Sequence, residues 1–157
     1  MPGREGNIMK KILLSVFVAF ISVMAWGQEK INNQTPEQKL NEQYCTGLFR
    51  SADGTILDLE KSPPTGAYIN ILDWLDGRVA GLSVYRTRGN IRIPYIRGQV
   101  ASIFVDEQQV TASYLNSLPV SDIAMIKVIR SSFLGGSNPG NGAIAIYTYG
   151  VEADEEE

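Results

Sequence analysis

The sequence predicts a small α/β domain of the α+β kind, with a single small mixed β-sheet and short covering helices. Three observations carry this expectation. Tyr68, Ile71, Leu72, Leu75 and Val79 form one apolar stripe at helical spacing. After that stripe come five short β-rich runs, separated by Gly, Asp and Asn turn chemistry. The chain has 157 residues with 44% hydrophobic content, enough for one core but not for several domains.

The elements follow in chain order. Lys10 and Lys11 precede the apolar run Ile12–Trp26, shorter than the about 20 residues that a membrane-spanning helix needs. Small residues Ala25 and Gly27 sit where a signal peptidase selects them, so residues 1–27 read as a secretory signal, with Met1 or Met9 as the start. Residues 28–66 form an N-terminal region. In it Thr35, Pro36 and Gln38 give a capping box for a short helix. Gly47–Leu59 reads as a hairpin around Asp53-Gly54, and Lys61–Gly66 as a proline linker. Residues 67–150 form the main domain. A helix over Tyr68–Val79 is followed by strands at Leu82–Tyr85, Ile91–Arg97 and Ala101–Val105, with Pro94 suggesting an edge or a bulge. Short helical turns at Tyr114–Leu118 and Ser121-Asp122 lead to strands Met125–Arg130 and Ala143–Thr148. Residues 151–157 are an acidic tail.

Composition narrows the chemistry. The chain contains no histidine, which removes the commonest general base and metal ligand, and it has one cysteine, Cys45, so neither an internal disulfide nor a thiolate metal cage can form. No Ser/His/Asp or Cys/His set exists, and the expectation is a protein that is not an enzyme and holds no cofactor. Without residues 1–27 the chain carries 11 basic and 16 acidic residues, a net charge of −5, which argues against a nucleic-acid partner. The loop Gly135–Gly142 is glycine-rich but lacks the Lys-Ser/Thr and the following helix of a phosphate loop.

Four segments, in order, resemble the plug domain of TonB-dependent outer-membrane receptors. They are Leu72–Val84 (LDWLDGRVAGLSV), Tyr95–Gly98 (YIRG), Ser102–Val110 (SIFVDEQQV) and Val120–Arg130 (VSDIAMIKVIR), with Asn141–Gly150 closing the domain. The likeness spans roughly Tyr68 to Gly150. It departs from the family pattern at Glu107, where a glycine usually follows the aspartate, and residues 28–34 show no energy-coupling box. The resemblance implies a plug-like α/β domain, exported to the periplasm of a Gram-negative cell and associated with the outer membrane. It also implies that Arg97 and Arg130 face glutamates of a barrel wall. Since only seven residues follow Gly150, the expected barrel is a separate chain acting in trans, and after signal cleavage no membrane span is expected.

Arg97 and Arg130 are therefore the leading candidates for partner contact, expected to lie close together and to pair with acidic groups either on this chain or on a separate barrel, against the alternative of two solvent-exposed arginines with no partner. Arg78, the turn residues Asp106 and Glu107, and the loop residues Asn138 and Asn141 complete the candidate interaction set. Arg86, Arg88 and Arg92 read as ordinary strand-edge charge. The expected function is a non-enzymatic binding or adaptor module in outer-membrane transport. A receptor remnant without a transport role and a small periplasmic ligand-binding protein are the alternatives the sequence leaves open.

Overall fold

A computed structural model describes residues 34–62, 68–137 and 139–150. The signal reading for residues 1–27, most of the proline linker, Asn138 and the acidic tail lie outside the described residues.

Helix α1 (Pro36–Tyr44) begins as the sequence predicts. The Thr35 hydroxyl accepts from the Gln38 N–H, while the Gln38 carboxamide accepts from the Thr35 N–H. Arg50 closes its other end, donating from Nε to the Cys45 carbonyl at 2.7 Å and from its terminal nitrogen to the Glu42 carbonyl at 3.1 Å. The expected hairpin over Gly47–Leu59 is not formed. Gly47–Ser51 is a second helix, α2, and strand β1 (Thr55–Asp58) pairs with a strand seventy residues away. Leu48, Phe49 and Arg50 follow Gly47 into a helical turn because Phe49 reaches the core from there, which outweighs β-propensity.

The apolar stripe from Tyr68 yields a helix over Ile71–Leu75 only (α3). Asn70 caps it by accepting from the Leu72 N–H, and Gly77 at φ +72° turns the chain away after Asp76. The remaining strands are β2 (Leu82–Arg86), β3 (Arg92–Ile96), β4 (Gln99–Val100), β5 (Ser102–Val105), β6 (Gln108–Val110), β7 (Ile123–Ile129) and β8 (Ala143–Thr148), with 3₁₀ turns at Tyr114–Asn116 and Val120–Asp122.

The α/β class is as expected, but the strands divide into two sheets rather than one. A mixed five-stranded sheet has the order β1-β7-β8-β5-β6, and a three-stranded antiparallel sheet has the order β2-β3-β4. Pro94 lies in the middle strand of the smaller sheet, not at its edge. Its carbonyl accepts from the Ala101 N–H, and the β3–β4 ladder covers only Tyr95 and Ile96, so the missing N–H falls where pairing has ended.

Strand β8 sits at the centre, parallel to β5 and antiparallel to β7. Its side chains alternate between two apolar clusters. Ile144 and Ile146 join Ile103, Val105, Ile126 and Val128 on the face covered by α3 and the smaller sheet. Ala143, Ala145 and Tyr147 face the other way, with Phe104, Met125 and Ile129, under α1 and α2. The two alanines leave room for Phe49, Phe104 and Phe133, whose rings meet with centroids 5.0 to 5.6 Å apart.

A buried polar group fixes α3 against the smaller sheet. Arg92, only 8% exposed, reaches Asp73 through two nitrogens at 2.7 Å, and Arg86 adds a contact at 3.1 Å. Arg92 also donates to Asn116, which accepts in turn from Asn70. Reading Arg92 as strand-edge charge was therefore incorrect: its side chain turns inward because Asp73 waits on α3. The hydrogen bond from Arg92 holds the Asp73 carboxyl below its usual range. Its contribution to stability is present above the unfolded carboxyl value and is lost as pH falls through the lower folded value. Asp73→Asn should accordingly be less stable than wild type at pH 7, with the gap closing as pH falls from about 5 towards 2. Urea unfolding across that range tests this, and a pH-independent gap would contradict it.

Candidate functional site

The structure distributes five of the predicted residues over two ends of the central sheet. Since β5 and β8 run in parallel, with Ser102 beside Ala143 and Val105 beside Ile146, both strands start at one end and finish at the other. Asp106 and Glu107 lie at the finishing end, while Arg97, Arg130 and Asn141 lie at the starting end. The length of β8 separates the two groups, roughly 20 Å at about 3.3 Å per residue.

At the starting end, Arg97 and Gly98 form the two-residue turn between β3 and β4, at φ +53° and +79°. Both values are positive, as a type I′ hairpin requires, and glycine carries the second at no steric cost. The Arg97 N–H donates to the Gly81 carbonyl at 2.8 Å, while its side chain is exposed. Arg130 is the first residue beyond β7 and is also exposed. Neither arginine forms an ion pair among the described residues.

The residues just before these two arginines meet at Gly142. A Cβ on Gly142 would come within 2.7 Å of both the Ile129 carbonyl and the Ile96 side chain. Glycine at this position lets Ile96 and Ile129 close on one point, so Arg97 and Arg130, each the next residue along its own segment, leave the sheet at the same end. Asn141 ties the closing loop there: its amide donates to the Val100 carbonyl at 3.2 Å, and its own carbonyl accepts from the Phe133 N–H at 3.2 Å.

The finishing end is built differently. Asp106 and Glu107 form the turn between β5 and β6 at φ +47° and +62°. The position where the plug pattern has glycine thus adopts the left-handed backbone that favours glycine. A non-glycine residue there costs on the order of 1 kcal/mol or more. Glu107 offsets the cost through its carboxylate, which accepts from the Thr46 N–H at 2.6 Å, from the Thr46 hydroxyl and from the Tyr147 hydroxyl at 3.2 Å. Asp106 accepts from the N–H and the hydroxyl of Thr148, both at 2.9 Å. These carboxylates bind the chain to itself, so they are not free for a partner. Arg78 is likewise committed, with Nε donating to the Trp74 carbonyl at 2.7 Å and its guanidinium 4.6 Å from the centre of the Trp74 ring.

Lys127 was missed in the sequence. It is 2% exposed in the middle of β7, and its ammonium donates to Asn41 Oδ1 and to the Phe49 carbonyl, both at 2.6 Å. Burial pushes its pKa down, and burial also raises the Cys45 thiol and the Tyr147 hydroxyl beside it. Lys127 and Glu107 together pin α1 and α2 to the sheet. Among the described residues no group of three or more carboxylates and thiols is placed to hold a metal ion, and no helix is long and apolar enough to cross a membrane.

No protein-family profile matches the chain, and no curated protein sequence is similar to it. Solved structures are similar. The RagAB peptide importer in its closed-closed state matches with a TM-score of 0.53 at 23% identity, over 62% of this chain and 12% of that one. The siderophore receptor PirA from Acinetobacter baumannii matches with a TM-score of 0.52 at 21% identity, over 73% of this chain and 18% of that one. These neighbours are TonB-dependent receptors, and the chain has the fold of a small part of them. At these identities the likeness is one of fold, consistent with a plug-like domain.

The clasp on α1 and α2 makes a direct prediction. Cys45 is fully buried between the two helices. Removing the charged acceptor with Glu107→Ala forfeits about 1.5–3 kcal/mol of hydrogen bonding, so native-state alkylation of Cys45 by iodoacetamide should speed up by about tenfold or more. An unchanged rate would show that Glu107 does not hold the helices down.

Proposed function

We propose that the chain is a non-enzymatic, plug-like binding module that works on the periplasmic side of the outer membrane, with a transport β-barrel in trans as its partner. The observation that carries this reading is the state of Arg97 and Arg130. Both guanidiniums are exposed, neither has an acidic partner among the described residues, and both emerge at the end of the sheet where Ile96 and Ile129 converge on Gly142. Arg92, Asp106 and Glu107, by contrast, are satisfied within the chain. Two exposed cations at one end of the sheet of a net-acidic chain suit carboxylates on another surface. The receptor-like fold supports the choice of a barrel as the bearer of those carboxylates.

The test is capture from detergent-solubilised outer membranes with the full chain as bait. Wild type should retain a β-barrel protein, and the double variant Arg97→Ala/Arg130→Ala should retain at least about tenfold less, as expected when two charge-assisted contacts are lost. Failure of wild type to retain any barrel, or equal retention by the double variant, would refute the proposal.

A further inference from the structure

The run Gln99–Val105 passes from the smaller sheet into the larger one, and its hydrogen bonds fix what lies on each side. The Ala101 N–H donates to the Pro94 carbonyl at 3.0 Å, and the Ser102 N–H donates to the Gly142 carbonyl at 3.1 Å. Ile103 then pairs with Val110 of β6. In the two-residue hairpin, Val105 and Gln108 form the hydrogen-bonded pair next to the turn, so Ile103 and Val110 form the next one. Ala101 and Ile103 therefore direct their backbone groups to the same side. Strands β3 and β6 lie on that one side, both antiparallel to the run, and they part at Ser102.

A cleft of about 580 Å³ fills this fork. Ile93 and Pro94 form one wall, and Val110 to Ser113 form the other. Gln109 and Ser137, hydrogen-bonded to each other, stand at its rim. No charged side chain and no aromatic ring lines it. Ser102 also lines it. This serine is 4% exposed, and its hydroxyl is the single buried side-chain polar atom without a hydrogen-bond partner among the described residues. An unpaired buried hydroxyl is costly, and a ligand would relieve it.

The walls also offer backbone groups. The Thr87 N–H donates to the Ile91 carbonyl and the Ala101 N–H to the Pro94 carbonyl, so odd-numbered residues of β3 face β2 and even-numbered ones face the fork. The peptide groups of Arg92 thus lie on the fork side of β3, behind the lining residues Ile91, Ile93 and Pro94 and past the end of the β4 ladder. A gap between two strands that share one neighbour has the geometry that an added strand completes.

We propose that this fork binds an extended, uncharged peptide segment, which extends the sheet between β3 and β6 and hydrogen-bonds to Ser102. The neutral lining selects against charged ligands, and the absence of a ring for stacking disfavours a sugar. Neither Arg97 nor Arg130 lines the fork, so this site stands apart from the proposed barrel contact.

The experiment is an amide NMR titration of the full ¹⁵N-labelled chain. The probe is an acetylated, amidated Val-Thr-Val-Thr tetrapeptide, with the same peptide carrying Glu for Thr and with maltose as comparisons. The neutral peptide should produce saturable shifts at Ser102, Ala112 and Ser113, and the Glu peptide and maltose should not. Ala112→Trp, which fills the cleft, should weaken binding at least tenfold, and Ser102→Ala should weaken it severalfold. Ser113→Trp replaces Ala112→Trp if the latter loses wild-type amide dispersion. Absence of saturable shifts up to about 5 mM peptide, equal shifts with maltose or the Glu peptide, or full binding by the cleft-filling variant would each overturn the proposal.

Discussion

The structure depends on a strand that is apolar on both faces. Every residue of β8 from Ala143 to Tyr147 is buried. A strand of this kind is stable only in the middle of a sheet and only when both faces of that sheet are covered. One cover comes from α3 and the smaller sheet, the other from α1, α2 and the Phe49 ring. The N-terminal helices are therefore not an appendage to a receptor-like fold. Without them Phe104, Met125, Ile129 and Tyr147 would present an apolar surface to water.

The second cover is weak in apolar terms and strong in polar ones. Helix α1 has no buried residue, and α2 contributes Phe49 alone. What holds them is Lys127 beneath and Glu107 beside, each hydrogen-bonded to the cap. Lys127 illustrates the balance in such contacts. Burial disfavours its charged form, yet two good acceptors at 2.6 Å make the site tolerable. Such groups add little net stability but specify one position of the cap, since a shifted helix would strand a buried ammonium. The left-handed turn at Glu107 belongs to the same arrangement: local strain is accepted where the side chain gains contacts that glycine could not make.

Local signals were legible in the sequence, and long-range partners were not. The capping box of α1 rests on residues three apart, and it formed as read. So did the five strands read between Leu82 and Thr148, because period and turn chemistry act over a few residues, whereas the short strands β4 and β6 were too brief to show a period and were not read. The Gly47–Leu59 hairpin failed because Asp53-Gly54 reports a turn but not the strand that will be paired, and β1 found β7 instead of its neighbour. Arg92 read as strand-edge charge, and Lys127 was not singled out, because strand alternation gives no sign that a distant helix will cover the charged position. Among the candidate site residues the resemblance put Arg97 and Arg130 close together, and it is the fold that brings Asn141 to the same end. Nothing in the sequence revealed that Asp106, Glu107 and Arg78 are spent on internal contacts.

That contrast bears on how the two ends of the sheet differ. At the finishing end every acidic group of the β5–β6 turn is satisfied by Thr46, Tyr147 or Thr148, so the end is closed by the chain's own atoms. At the starting end the backbone is tightly organised, with Gly142 drawing Ile96 and Ile129 together and Asn141 joining the loop to Val100, yet among the described residues the guanidiniums of Arg97 and Arg130 have no carboxylate. Organised backbone beneath unpaired charge is poor design for stability alone, since exposed arginines contribute little to folding. It is good design for recognition, because the cost of positioning the charges has been met before a partner arrives. The asymmetry between a self-satisfied end and an open one is the reason for placing the proposed partner contact at the start of β5 and β8.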